Sequence, residues 1–486
     1  MTARVVAQPV TEVPRLEPGA FREHLLGQRA RGRRIATLFG RRAGERVILT
    51  AVVEGPSDGL ELARTEVDGA HGLHAMTSTW PALHAFEREI HEQTGMRVAG
   101  HPWLKPLRHE GGEQADMARY PYHVVAGKEI HEVAVGPIHA GVIEPGSFRF
   151  MCEGELVHHL EIQLGHQHRG IEPRMVGRAP ASIAPWMETV AGDTSIGHAW
   201  ASAAVVEALA EAPATDEVDD ARAIALELER VAMHLATLSG MAADVAFAQV
   251  AAAYGRLRTL AINTTARLSG SRFGRGAVRP GRSRLRLDLR DEARATIVAL
   301  HAQVVAVNEQ LLGSRTVRHR LRGTGVLPRA LADDLGVGGV VARASGLPAD
   351  GRDGTTRGAY HRRPIAPVVA SDGDCWARAL VRIGEIDASL TWLRGALAEV
   401  PPRPAAGAPI PAVRGEAIAA AVIEGFRGPI VHVIETDAAG RVAHAKLQDP
   451  SLHGWMGLAQ VVRGNAISDF PICNKSFDLS YCGHDL

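Results

Sequence analysis

Four groups of residues in this chain have the types and spacing to do chemistry. The densest is His158, His159, His166 and His168. Imidazoles this close could hold zinc. However, the period-two alternation of a strand sends His158 and His159 to opposite faces, and no Cys or carboxylate completes a set at metal spacing, so hydrogen bonding to the protein is the favoured role. The second group is Glu227, Glu229, Arg230 and His234. On a helix Glu227 and His234 share a face, and Arg230 lies one turn from His234. Charges so placed either lock helices together through buried ion pairs or form the floor of a polar cavity. The third is Asp193 with His198, in a Gly192-Asp193-Thr194-Ser195 start that also reads as a helix N-cap. The fourth is two Gly-rich stretches, 271–282 and 336–346. Neither has GxGxxG spacing or an acidic residue about 20 positions on in a βαβ unit, so neither reads as a dinucleotide site. Tight turns and close helix packing account for their glycines.

These residues need elements to position them. A Gly136-Pro137-x-His139 turn precedes a β-hairpin: Phe148, Phe150 and Cys152 alternate, Glu153-Gly154 turns the chain, and Leu156, Leu160, Ile162 and Leu164 return it. Gly165 then opens into the basic knot 166–170. Helices are predicted over 79–94 (Trp80, Leu83, Phe86 and Ile90 on one face, Gly95 as the stop), 219–240 (Ile224, Leu228, Val231, Leu235, Leu238), 251–270, 290–312 and 373–397. Residues 33–38 and 46–53 have strand character, and 428–434 with 442–447 form a second strand pair. The Pro/Ala-rich 399–413 reads as an extended connector. This divides the chain into a loosely docked arm (1–20), a small α+β domain (21–110), a polar connection, and a larger, mainly helical domain (121–486) that begins with the hairpin.

A chain of 486 residues can bury two or three cores. Its formal net charge of zero provides no basic field for nucleic acid or an anionic membrane surface. Four cysteines without a CxxC argue against a disulfide framework and fit a reducing compartment. No uninterrupted apolar run reaches the roughly 18 residues of a membrane span, and the N-terminus lacks a secretory pattern. A cytoplasmic location with no span of its own is expected.

Several motifs in order resemble one family, the large hydrophilic subunit shared by respiratory complex I and the membrane-bound, energy-converting NiFe hydrogenases, such as formate hydrogenlyase. They are Gly136-Pro137-x-His139, His168-Arg169-Gly170-x-Glu172, Gly192-Asp193 with His198, and Glu227-Leu228-Glu229-Arg230 with His234. The series continues through Gly270-Ser271-Arg272, Arg279-Pro280-Gly281, Arg343-Ala344-Ser345-Gly346 with Asp350 and Arg352, and Gly373-Asp374 with Arg378, Arg382 and Glu385. It ends with Asp469, Ser476, Asp478 and Asp485. Phe86-Glu87-Arg88-Glu89, Gly95 and Gly100-His101-Pro102 resemble the smaller complex I partner (the 30-kDa subunit), here fused ahead of the 49-kDa-like part. The resemblance implies an α+β fold with a NiFe-hydrogenase-large-subunit-like second domain.

The departures from that family bear on function. The hydrogenases hold nickel and iron with two Cys-x-x-Cys pairs, because thiolates are soft, strongly donating and able to bridge. Aligned on their neighbours, those positions are Ala191 and Thr194, then Ser480 and Gly483, with Cys482 one residue out of place. A NiFe centre is therefore not expected. The quinone-binding Tyr and His of complex I align with Gly192 and near Pro145, in a loop about two residues longer than the complex I version, with His139 or Glu144 as substitutes. The resemblance places Arg169 against a 4Fe-4S cluster on a partner subunit, with His168 beside it. The expected function is electron transfer from that cluster to an acceptor, a quinone, in a cavity at the subunit interface. His139, Asp193 and His198 are its catalytic candidates, and Arg169, His168, Glu144 and Gly192 its cofactor-binding ones. Implied partners are the small 4Fe-4S subunit, a ferredoxin-like subunit and antiporter-like and other integral membrane subunits. These would hold the chain peripherally on the inner face of the plasma membrane, and any NAD chemistry would belong to the whole complex. The alternatives are a non-catalytic scaffold that couples its partners and, third, a NiFe hydrogenase with unorthodox ligands.

Overall fold

A computed structural model describes residues 3–55, 59–110, 116–139, 144–403, 407 and 409–486. Ile35–Ala43, Arg46–Glu54 and Leu60–Asp68 form an antiparallel sheet. Apolar residues line both of its faces, so each face needs a cover. Helices Pro18–Ala30 and His84–Thr94 cover one face, through Phe21, Leu25, Phe86 and Ile90. The second helix stops at Gly95, whose φ of 69° is the left-handed C-cap its sequence predicts. The other face, Ala36, Phe39, Val52 and Leu62, packs on Ile418, Ala420, Val422 and Val433 of a second sheet.

That second sheet is antiparallel in the order Arg4–Pro9, Ala417–Gly425, Gly428–Thr436, Val442–Gln448. One of its strands corrects the sequence reading and another goes beyond it. Arg4–Pro9 is no loosely docked arm: it is an edge strand, paired residue by residue with Ala417–Gly425. Ala417–Gly425 is rich in Ala, a helix former, yet it is a strand with all nine residues buried between the N-terminal sheet and helix Ser195–Leu209. Burial on both faces outweighs local propensity here. The hairpin is Ser147–Glu153 and Leu156–Gln163, with its turn centred on Gly154 and Glu155 rather than Glu153-Gly154, and Ile130–Val135 adds an outer strand that alternation did not reveal.

The helical layer is built on Asp216–Asp244, longer than predicted because Thr215 caps it early by accepting a bond from the Val218 N–H at 3.4 Å. Ala248–Ser269, Arg290–Gly313 and Cys375–Glu399 pack around it and one another. Leu287–Gly313 is long and apolar enough to cross a membrane by length and composition, which qualifies the expectation that nothing here could. Its Ile297, Leu300, Val304 and Leu311 are nonetheless a buried core stripe.

Of the two roles open to the charged group on Asp216–Asp244, the structure shows the lock. Glu227 accepts from Tyr360 Oη and Ser389 Oγ, both at 2.5 Å, and pairs with Arg352 at 3.2 Å. His234 Nε2 lies 2.9 Å from Glu385, which also binds Arg343 at 2.7 Å. Arg343 reaches Glu424 at 2.9 Å, and Arg352 reaches Asp350 at 2.7 Å. All are buried. Burial alone would raise the Glu385 carboxyl, but the fields of Arg343, His234 and Arg352 hold it well below the ordinary carboxylate range. Glu385→Ala would leave Arg343 and Arg230 without their shared counter-charge. It should cost about 3–5 kcal/mol in denaturant unfolding; a loss under about 1 kcal/mol would show that the lattice is not a lock.

Candidate functional site

The hairpin exit, the segment before helix Ser195–Leu209, the turn at Arg427 and the C-terminal tail converge on one place. Arg169 joins two of them. Its Nη1 donates to Thr189 O at 2.6 Å, and its Nη2 to Val190 O at 2.9 Å and Cys482 O at 2.7 Å. The tail is held in return. The Asp485 carboxylate accepts from Gly165 N and Gln167 N, both at 2.8 Å; Arg169 N donates to Leu486 O at 2.9 Å; and His168 Nδ1–H donates to Asp485 O at 2.8 Å.

Asp193 forms a two-pronged pair with Arg427, at 2.8 and 2.6 Å. Burial pushes the Asp193 carboxyl up and Arg427 pulls it down further, so it sits below its ordinary value. Arg427 also bonds Thr194 Oγ1 and the Asp478 carbonyl. The turn that carries it depends on Gly339. A Cβ there would collide with Arg427 O, and its φ of +62° suits glycine.

Beneath this surface His198 is fully buried between His432 Nε2 at 3.0 Å and Asp449 Oδ2 at 3.1 Å. Burial and the nearby His198 push the His432 ring well below the ordinary imidazole range, so it is neutral. The predicted N-cap is differently made. Thr194 stands at the N-cap without a side-chain bond to the helix, and Glu229 from the neighbouring helix accepts from Ile196 N at 2.7 Å and Gly197 N at 3.2 Å. Burial pushes the Glu229 carboxyl up to about 8, against the pull of those two N–H groups.

The structure thus brings Arg169, Gly192, Asp193, Glu144 and Cys482 together. Glu144 accepts from Cys482 N at 2.9 Å, and a Cβ on Gly192 would meet only Arg275 Nη2 at 3.9 Å, leaving room in front of it. His139 lies on the exposed loop whose ends are pinched together by the Gly146 N to Pro137 O bond at 2.9 Å. Residues 140–143 of the lengthened loop lie outside the described residues. The histidine group disperses: His158 pairs with Glu153 at 3.0 Å, Arg463 donates to His159 Nδ1 at 3.0 Å, and His166 Nε2 lies 3.2 Å from Ser147 Oγ. At the second thiolate pair, Ser480 Oγ accepts from Gly483 N at 2.9 Å, and a Cβ on Gly483 would fall 2.7 Å from Asp449 Cγ. Sequence reasoning misses Arg427, His432 and Asp449. Arg427-Gly428 looks like an ordinary strand turn, and Asp449-Pro450-Ser451 like an ordinary helix start.

The hairpin exit and the C-terminal tail of the helical domain thus close together around Arg169. The description "Respiratory-chain NADH dehydrogenase, 49 Kd subunit" matches residues 244–414. The carbon monoxide-induced hydrogenase of Rhodospirillum rubrum is 29% identical over 353 residues, 72% of this chain and 97% of that one. An NADH-quinone oxidoreductase subunit of Dehalococcoides mccartyi is 28% identical over 361 residues, 71% of this chain and 95% of that one. In fold, the chain resembles one from the membrane-bound sulfane sulfur reductase, an archaeal respiratory membrane complex, with a TM-score of 0.69, 21% identity, and coverage of 75% of this chain and all of the other. The chain is thus similar to the large subunits of complex I-like and energy-converting-hydrogenase-like enzymes.

Glu229 makes the site pH-sensitive in a defined direction. From its ordinary 4.5 up to about 8 the unfolded chain ionises this carboxyl while the folded chain keeps its proton. Its contribution to stability therefore falls as pH rises through that window, by up to about 1.4 kcal/mol per pH unit, and is level above it. Glu229→Gln should flatten this component, seen as a shallower fall in denaturation midpoint than the parent between pH 5 and 8. Parallel curves would contradict the assignment.

Proposed function

We propose that the chain is an oxidoreductase subunit that passes electrons from a 4Fe-4S cluster on a partner subunit to a quinone in a cavity at the subunit interface. The observation that carries this reading is the Arg169 clamp: one partly exposed guanidinium, fixed by three carbonyls, at the meeting point of the two segments that would hold a metal centre in a hydrogenase. A fixed cation facing a neighbouring cluster raises its potential. The space before Gly192, edged by Asp193, Glu144 and Cys482, is where the acceptor head would sit. Asp193 is committed to Arg427 as an ion, so it supplies charge rather than a proton, and His198 steadies Asp449 from below. His139, on the exposed loop, would deliver a proton to the acceptor.

A NiFe centre does not suit these residues. Ala191, Thr194, Ser480 and Gly483 offer no thiolate, and Asp449 stands where a side chain at 483 would go. No step is assigned to nickel. The small 4Fe-4S subunit, the ferredoxin-like subunit and the antiporter-like and other integral membrane subunits remain the proposed partners, with the chain peripheral on the inner face of the plasma membrane. A non-catalytic scaffold is the second reading, favoured by the closed pairing of Asp193 with Arg427 and of His198 with Asp449.

Quinone reduction by the intact complex separates the two. With assembly preserved, Arg169→Ala and His139→Ala should each lower the rate at least tenfold, in the range of a lost electrostatic or general-acid contribution. Unchanged rates in both would leave the scaffold reading. Stoichiometric nickel in the purified complex would overturn both.

A further inference from the structure

We propose a second small-molecule site, at the junction of the N-terminal domain with the hairpin and the C-terminal helices, for a mainly apolar compound carrying a carbonyl oxygen. A cavity of about 350 Å³ lies there, within the roughly 300–1,000 Å³ usual for ligand pockets. Leu160 and Leu164 of the hairpin, Leu335, and Leu452 and Trp455 of helix Ser451–Val461 give it apolar walls, and partly exposed Trp103 and exposed Arg463 stand at its rim.

Its polar groups define the ligand. Trp455 Nε1 and both ring nitrogens of His84 are buried without a hydrogen-bond partner. Such groups are costly in a native fold and call for an occupant that satisfies them. The indole can only donate, so the occupant needs an acceptor. Burial keeps His84 neutral, lowering it well below the ordinary imidazole range. Beside them Arg88 donates to Lys105 O and Pro106 O, at 2.8 and 2.6 Å, and Glu161 accepts from Lys105 Nζ at 2.5 Å and His123 N at 2.6 Å. This site is distinct from the Arg169 pocket, although both use the short tail helix Tyr481–Asp485: His484 lines the cavity, and Cys482 O binds Arg169.

Prodan, a neutral naphthalene ketone whose emission shifts blue in apolar surroundings, tests this in the full chain within its complex. We expect saturable binding at one site per chain. N,N-dimethyl-2-naphthylamine, which lacks the ketone, should bind about tenfold more weakly, as for loss of one hydrogen bond. Trp455→Phe should weaken prodan to a similar degree. Leu335→Trp should abolish binding by filling the cavity. Arg169→Ala should bind as the parent does, which separates this site from the electron-transfer proposal. Absence of saturable binding or equal affinity for the two naphthalenes would each overturn the assignment. The naphthalene comparison needs only the parent protein, so it decides even if a variant fails to fold.

Discussion

The structure rests on charges taken out of water. Glu385, Arg343, Arg352, Glu227 and Arg230 are all buried, and each is tolerable only because the others are there. The lattice draws on helix Asp216–Asp244, helix Gly339–Ala344, helix Cys375–Glu399 and strand Ala417–Gly425, so these elements cannot shift independently. It also fixes the turn after that strand. Arg230 donates to Glu424 O at 2.7 Å and to Gly425 O at 3.1 Å, two residues short of Arg427. The position of Arg427, and through it that of Asp193, follows from the lattice rather than from contacts within the site.

The same logic of desolvation explains what occupies the heart of the site. The polar groups there satisfy one another. Asp449 binds His198 and the Ser451 N–H, Ser480 caps its own short helix, and Glu229 caps helix Ser195–Leu209 from outside. Arg169 and Glu144 form a partly exposed outer layer above them.

The N-terminal domain is tied to the rest by more than a linker. Its sheet packs face to face on the C-terminal sheet, and buried ion pairs cross the junction. Arg64 meets Glu435, and Lys446 joins Glu89 at 2.5 Å while also pairing with Glu172 of its own domain at 3.2 Å. Burial lowers the Lys446 ammonium to about 8, with Glu172 pulling it back up. The two domains therefore behave as one packed unit along this seam, and the apolar cavity beside it is walled by both.

Local pattern determined much of this protein. Helical periodicity and Gly95 gave away helix His84–Thr94, period-two alternation gave the hairpin, and the ordered motifs gave the resemblance to complex I-like and hydrogenase-like large subunits. Those features are carried by residues near one another in the chain. What only the tertiary structure decided depends on long-range burial. Arg4–Pro9 becomes a strand because Ala417–Gly425 offers it an edge, and that Ala-rich segment becomes a strand because it is covered on both faces. Glu229 leaves the charged row of its own helix to cap another, and Arg427, His432 and Asp449 join the site from a turn, a strand centre and a strand end more than 200 residues away from Asp193 and His198. No periodicity records such meetings, because the free energy that selects them is the desolvation of groups that become neighbours only once the chain has folded.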